Sequence, residues 1–162
     1  MNRTLIGIVL GFLLMSFTSK SKQSITLYNG KMTRRGCDKE PFAGGCGHFG
    51  ASRGTRTHEG IDILCTVGGE VYAPFDGFVE RKVKPYAGWN FSGLQINHGT
   101  FLTKIMYFLP VEGLENTSVA KGQIIGYCQD IQNKYGSTVP RHLHVEVINT
   151  EGVHQDPEKY LF

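Results

Sequence analysis

"THEGIDIL" (Thr57–Leu64) and "RHLHVEV" (Arg141–Val147) are the two stretches that decide how this chain reads. Side chains two positions apart on a strand share a face. His58 and Asp62 therefore project from one side, and Gly60 between them leaves space for an ion or a neighbouring group. A helix would also bring positions i and i+4 together, but Gly60, Ile61 and Ile63 disfavour a helix here. In "RHLHVEVI" Leu143, Val145 and Val147 alternate with His142, His144 and Glu146, the clearest strand pattern in the chain. The two histidines again share a face.

Zinc accepts imidazole nitrogen and carboxylate oxygen. A site with three protein ligands keeps its fourth position for water. Two facing strands could supply His58, Asp62 and one histidine of the "HLH" pair. The other histidine would then stand beside the open position, where it could polarise water or a developing oxyanion. Each pair alone also fits an ordinary row of polar residues on a strand. Glu59 falls on the opposite side of its strand and is not assigned as a general base.

Working outward, short strand-like runs recur. "GIDIL" is followed by the turn "VGG". "EVYAPFDGFVERKV" reads as two short strands around Pro74 and the turn Asp76-Gly77. "GLQINHG" and "FLTKIMYFL" read as a hairpin turning at His98 to Thr100. "VAKGQIIGYC" is a further strand, and "DPEKYLF" a turn with a short docking segment. No long amphipathic helix, internal repeat or low-complexity tract is present. The fold class is mainly β: a compact antiparallel β domain with long loops.

The 162 residues suffice for one domain with one core. The 21 glycines and the few charged residues agree with a loop-rich β fold. A net charge of +3 permits weak attraction to acidic glycans or lipid surfaces. No concentrated basic stripe marks a nucleic-acid binder. The short "TRR" run, Thr33 to Arg35, reads as a solvated turn. "MNRTLIGIVLGFLLMSFTSKS" has the pattern of a secretory signal peptide, with Arg3 ahead of an apolar run from Leu5 to Phe17 and small residues after it. That run is shorter than the ~20 residues a membrane span needs. The expected organisation is residues 1–21 as signal peptide, 22–49 as an irregular N-terminal segment and 50–162 as the β domain. The mature protein is expected to be secreted, without stable membrane insertion.

Asn90-Phe91-Ser92 and Asn116-Thr117-Ser118 are glycosylation sequons. Four cysteines in an oxidising compartment imply two disulfides, for which three pairings exist. Nearest-neighbour pairing joins Cys37 to Cys46 and leaves Cys65 to Cys128. A zinc knuckle competes, but there is no C-x-x-C pair. Among the remaining histidines, His48 reads as solvent-facing, His98 as holding a turn and His154 as exposed. Trp89 and Phe91 lie in a loop that could line a groove or fold back on the core.

"THEGIDIL" with "RHLHVEV" resembles the H-x-x-x-D and H-x-H motifs of the lysostaphin-type zinc endopeptidases. "GGEVYAPFDGFVE", "LQINHG" and "VAKGQIIGY" fit the same pattern, so the resemblance runs from about Gly50 to Val147. "CDKEPFAGGCGHFGASRGTRTHEGIDILCTVGGEVYAPF" and "VKPY" (Val83–Tyr86) look closer still to the leukocyte cell-derived chemotaxin-2 family, secreted vertebrate relatives of those peptidases. The resemblance implies the peptidase fold and zinc held by His58, Asp62 and His144, with His142 at one catalytic histidine position. Active peptidases carry a further histidine in a Tyr-x-His-Leu strand. Here the chemotaxin pattern puts Tyr107 at that position, and an ungapped count from His98 puts Phe108 there. A phenol with an ordinary pKa near ~10 is a poor proton acceptor at neutral pH. Six cysteines are expected of the chemotaxin family. Here only Cys37, Cys46 and Cys65 match, so a Cys65–Cys128 bridge would be a different crosslink.

These readings imply a secreted, zinc-binding, cytokine-like or chemotactic protein on a catalytically inactive peptidase scaffold, His142 being vestigial. Its partner would be a cell-surface receptor, or a microbial cell-wall or glycan ligand. The alternatives are an active zinc endopeptidase cutting glycine-rich bacterial cell-wall peptides, and a metal-free structural β domain.

Overall fold

A computed structural model describes residues 27–28, 32–33, 35–37 and 45–162. The expected signal peptide lies outside the described residues, as does much of the segment 22–49. The strands are β1 (Ile61–Leu64), β2 (Glu70–Tyr72), β3 (Gly77–Val83), β4 (Gly93–Asn97), β5 (Phe101–Met106), β6 (Phe108–Pro110), β7 (Ser118–Val119), β8 (Ile124–Cys128), β9 (His142–Asn149) and β10 (His154–Gln155). Two single-turn helices, α1 (Gln132–Tyr135) and α2 (Glu158–Leu161), complete the described elements. Among the described residues no helix is long and apolar enough to cross a membrane.

The strands pair antiparallel in two sheets. The larger has the order β1-β9-β5-β4-β3-β7, with β10 also on β9; the smaller has the order β2-β8-β6. β4 and β5 form the hairpin expected around His98, whose ring bonds the Asp76 carbonyl (2.8 Å) and the Thr103 hydroxyl (2.9 Å). β2 and β3 flank the Asp76-Gly77 turn but belong to different sheets. The reason is a change of layer around Pro74, which carries no N–H for a ladder.

The period-two pattern explains the layering. Ile61, Ile63, Leu94, Ile105, Leu143 and Val145 of the large sheet are fully buried against Val71, Phe108 and Ile125 of the small one. Burying each such side chain contributes roughly 1.5–3 kcal/mol. Leu27 joins this core, so the N-terminal segment is packed on the domain where it is described. Cys65–Cys128 ties the end of β1 to the end of β8, and Cys37–Cys46 closes the second disulfide. The alternate residues of β1, β9 and β5 turn to the other face of the large sheet, and there the candidate site lies.

Candidate metal centre

β1 and β9 place Asp62 directly opposite His144, while their neighbours Ile61 and Val145, and Ile63 and Leu143, pair in the core. The alternation that buries the aliphatic residues therefore delivers the polar ones to a single spot. His58, just ahead of β1, adds its ring. Its Nε2 lies 2.9 Å from Nδ1 of His144 and 3.2 Å from Oδ1 of Asp62, and His144 Nδ1 lies 3.0 Å from that same oxygen. Gly60 makes room: a Cβ there would fall 2.3 Å from the Val145 carbonyl oxygen and 2.9 Å from Nε2 of His144. His142 approaches from the side, with Nε2 3.6 Å from Asp62 Oδ1.

The outer nitrogens fix the chemistry of the inner ones. His58 Nδ1–H donates to the His48 carbonyl (2.8 Å), and His142 Nδ1–H donates to the Pro140 carbonyl (2.7 Å). Each ring then turns Nε2 towards Asp62. His144 uses Nε2 for Glu146 Oε1 (3.3 Å), which leaves Nδ1 facing the same point. Such outer partners are the usual means of orienting metal-ligating histidines. Donors held at ~2.0–2.1 Å from one tetrahedral ion stand ~3.3–3.4 Å apart, so this set suits zinc after an outward shift of a few tenths of an ångström.

Burial alone would lower the His144 pKa, but hydrogen bonds to Asp62 and Glu146 push it up to about 9. Burial would raise the Asp62 pKa, but hydrogen bonds from His144 and His58 and the nearby His142 hold its carboxyl well below the usual range. Burial pushes His142 down. Burial would raise Glu146, which His144 and Lys104 instead draw down to about 2.

Arg35 corrects the sequence reading of a solvated "TRR" turn. It is only 3 % exposed, and its Nε and Nη2 donate to Asp62 Oδ2 at 3.1 and 3.0 Å. Arg53 Nη2 stands 3.5 Å from that oxygen. A buried carboxylate needs compensating partners, and nothing in the local sequence pattern announces which arginine provides one.

A cleft of about 420 Å³ opens over the site, its lining including Arg53, Arg56, Tyr86, Tyr107 and Tyr135. The backbone reverses at Tyr107 with φ 71° as the chain leaves β5 for the small sheet. This turn puts Tyr107 in the cleft wall, its ring 5.6 Å from His142 and 6.4 Å from His144, and sends Phe108 into the core. The Tyr107 hydroxyl bonds Tyr86 (2.8 Å), and the Tyr86 hydroxyl in turn accepts from Tyr135. Burial, then the Tyr86 bond, raises the Tyr107 pKa far above the ordinary phenol range. Tyr86 and Tyr135 were not foreseen, since no spacing links them to the motifs.

The remaining residues have quieter places. His48 is exposed. His154 is half-buried rather than exposed, because its Nε2 bonds Glu146 Oε2 at 3.1 Å. Glu59 reaches the same ring at 3.8 Å, so Glu59, Glu146 and His154 form a second acidic cluster, which Lys104 Nζ already enters at 3.1 Å from Glu146. Trp89 is exposed and stacks on the buried Phe91.

The family model for peptidase family M23 matches residues 56–157. Leukocyte cell-derived chemotaxin-2 of Bos taurus is 34% identical over 119 residues, covering 72% of this chain and 74% of its own. The Mus musculus protein of that name is 35% identical over the same shares of each chain. The catalytic domain of the antimicrobial peptidase lysostaphin from Staphylococcus simulans superposes with a TM-score of 0.52 at 26% identity, covering 80% of this chain and 89% of that one. The chain belongs to peptidase family M23 and to the family of leukocyte cell-derived chemotaxin-2.

Proposed function

We propose that this protein is a secreted, zinc-binding, chemotactic or cytokine-like factor that uses an M23 scaffold for recognition and does not hydrolyse peptides. His58 Nε2, Asp62 Oδ1 and His144 Nδ1 would hold the ion. Bound there, zinc would link β1, β9 and the turn before β1, and its Lewis acidity would be available to a bound water. The single observation that carries the reading is Tyr107. It occupies the cleft wall beside His142 where a working peptidase needs a second proton-transfer group, and its hydroxyl is spent on Tyr86. Losing general acid–base help typically costs ~10²–10⁴-fold in rate. The chemotaxin relatives support the signalling role. The partner, a cell-surface receptor or a microbial cell-wall or glycan ligand, would meet the cleft and its arginine and tyrosine rims.

Metal analysis of the purified protein is expected to give close to one equivalent of zinc, lost in His144→Ala. Incubation with a pentaglycine peptide and zinc is expected to give no turnover. Robust cleavage would overturn this reading in favour of an active endopeptidase working with His142 alone. Binding screens against vertebrate surface receptors and bacterial cell-wall fragments then identify the partner.

A further inference from the structure

Two of the three metal donors are held by described residues of the segment that precedes β1. Thr33 and Arg35 run antiparallel along the free edge of that strand: Leu64 N–H donates to the Thr33 carbonyl (2.8 Å) and Arg35 N–H to the Asp62 carbonyl (2.7 Å). Gly47 lies beside them, and its carbonyl accepts the Asp62 N–H (2.9 Å). The two arms are joined by Gly47 N–H to the Gly36 carbonyl (3.1 Å) and by the Cys37–Cys46 disulfide. A Cβ at Gly47 would lie 2.4 Å from the Arg35 carbonyl oxygen, so glycine alone lets the arms close this far.

This clasp reaches the ligands through side chain and backbone. Arg35 Nη1 donates to the Gly45 carbonyl (3.0 Å), next to Cys46, and its Nε and Nη2 donate to Oδ2 of Asp62. That leaves Oδ1 to face His58 and His144. Two residues after Cys46, the His48 carbonyl takes the Nδ1 proton of His58 and so turns Nε2 inward.

We infer that Arg35, held by the Cys37–Cys46 clasp, is a positioning residue for a divalent ion at His58, Asp62 and His144. It fixes which oxygen of Asp62 is offered, and the clasp fixes which nitrogen of His58 is offered. The inference rests on the zinc reading above. Partners of this kind typically change metal affinity by ~10–100-fold.

The test measures zinc dissociation constants by competition with a chromophoric chelator, together with the visible spectrum of the cobalt(II)-substituted protein. It compares the wild type with Arg35→Lys, with Cys37→Ala/Cys46→Ala, and with Val79→Ala as a core-destabilised control. Arg35→Lys keeps the charge but loses the two-pronged contact. The double alanine variant keeps Arg35 but opens the clasp. Expected is a ~10–100-fold weaker zinc affinity and an altered cobalt spectrum in both, with neither changed in the control. Wild-type zinc binding with both variants inside threefold of it overturns the inference and leaves the zinc reading standing. A wild type that takes up no zinc overturns both.

Discussion

Asp62→Ala, studied in protein stripped of metal by chelator, isolates what the carboxylate does for the fold itself. Asp62 is 2 % exposed, and Arg35 beneath it 3 %. Two guanidinium donors end on one of its oxygens at 3.0 and 3.1 Å. The substitution leaves a buried cation without its carboxylate, and breaking such a pair costs about 3–5 kcal/mol. For a domain of this size each kcal/mol moves Tm by about 2–4 °C, so the midpoint should fall by about 6–20 °C. Urea denaturation with excess chelator gives the free energy directly. Removing the arginine as well, in Arg35→Met/Asp62→Ala, should recover at least half the loss, because the charge that faced Asp62 goes with it. An Asp62→Ala chain within about 1 kcal/mol of wild type would refute the reasoning, as would a double variant whose loss equals the sum of the singles. Either result would mean that the pair is not what holds Arg35 in the interior.

In the metal-free chain the His144 and Glu146 contributions are both complete between about pH 4.5 and 6.5, while the buried His142, whose pKa falls on folding, subtracts from stability as pH drops below 6.5. His144 rises from 6.5 to about 9 on folding, so its contribution is complete below 6.5 and lost as pH climbs through 9. Glu146 falls from 4.5 to about 2, so its contribution is complete above 4.5 and lost on acidification towards 2. Urea midpoints measured from pH 3 to 10 check both limbs. Zinc at a hundred times its dissociation constant should add about 2.7 kcal/mol at neutral pH, read as a thermal shift that His144→Ala abolishes. Gly60→Ala should cost about 1–3 kcal/mol, because the new Cβ meets the Val145 carbonyl at 2.3 Å and strand β9 must move to admit it. Phe108→Ala, at a fully buried site between the sheets, should cost about 3–5 kcal/mol by denaturation and leave zinc affinity unchanged.

The sequence carried the site where chemistry followed a period. Leu143, Val145 and Val147 must alternate with His142, His144 and Glu146 if β9 is to bury one face, and Asp62 must turn to the same side once Ile61 and Ile63 face the core; that it opposes His144 rather than His142 is a matter of register, which the period leaves open and only the family resemblance implies. Short-range rules therefore reached two strands and the residues that converge between them. They did not reach Arg35, because its partner lies 27 positions away and its segment has no periodicity to read. Nor did they reach Tyr86 and Tyr135, whose hydroxyls meet from residues 49 apart. The choice between Tyr107 and Phe108 was open in the sequence because it depends on one backbone angle. An extended residue at 107 would continue β5, whereas φ 71° reverses the facing of everything after it. This residue thus sets both layers of the protein at once, as its side chain closes the cleft over the histidines and its backbone delivers Phe108 to the core. A substitution at Tyr107 that relaxes this angle must disturb the packing of β6 as well as the cleft, whereas Tyr107→Phe removes only the hydroxyl that bonds Tyr86.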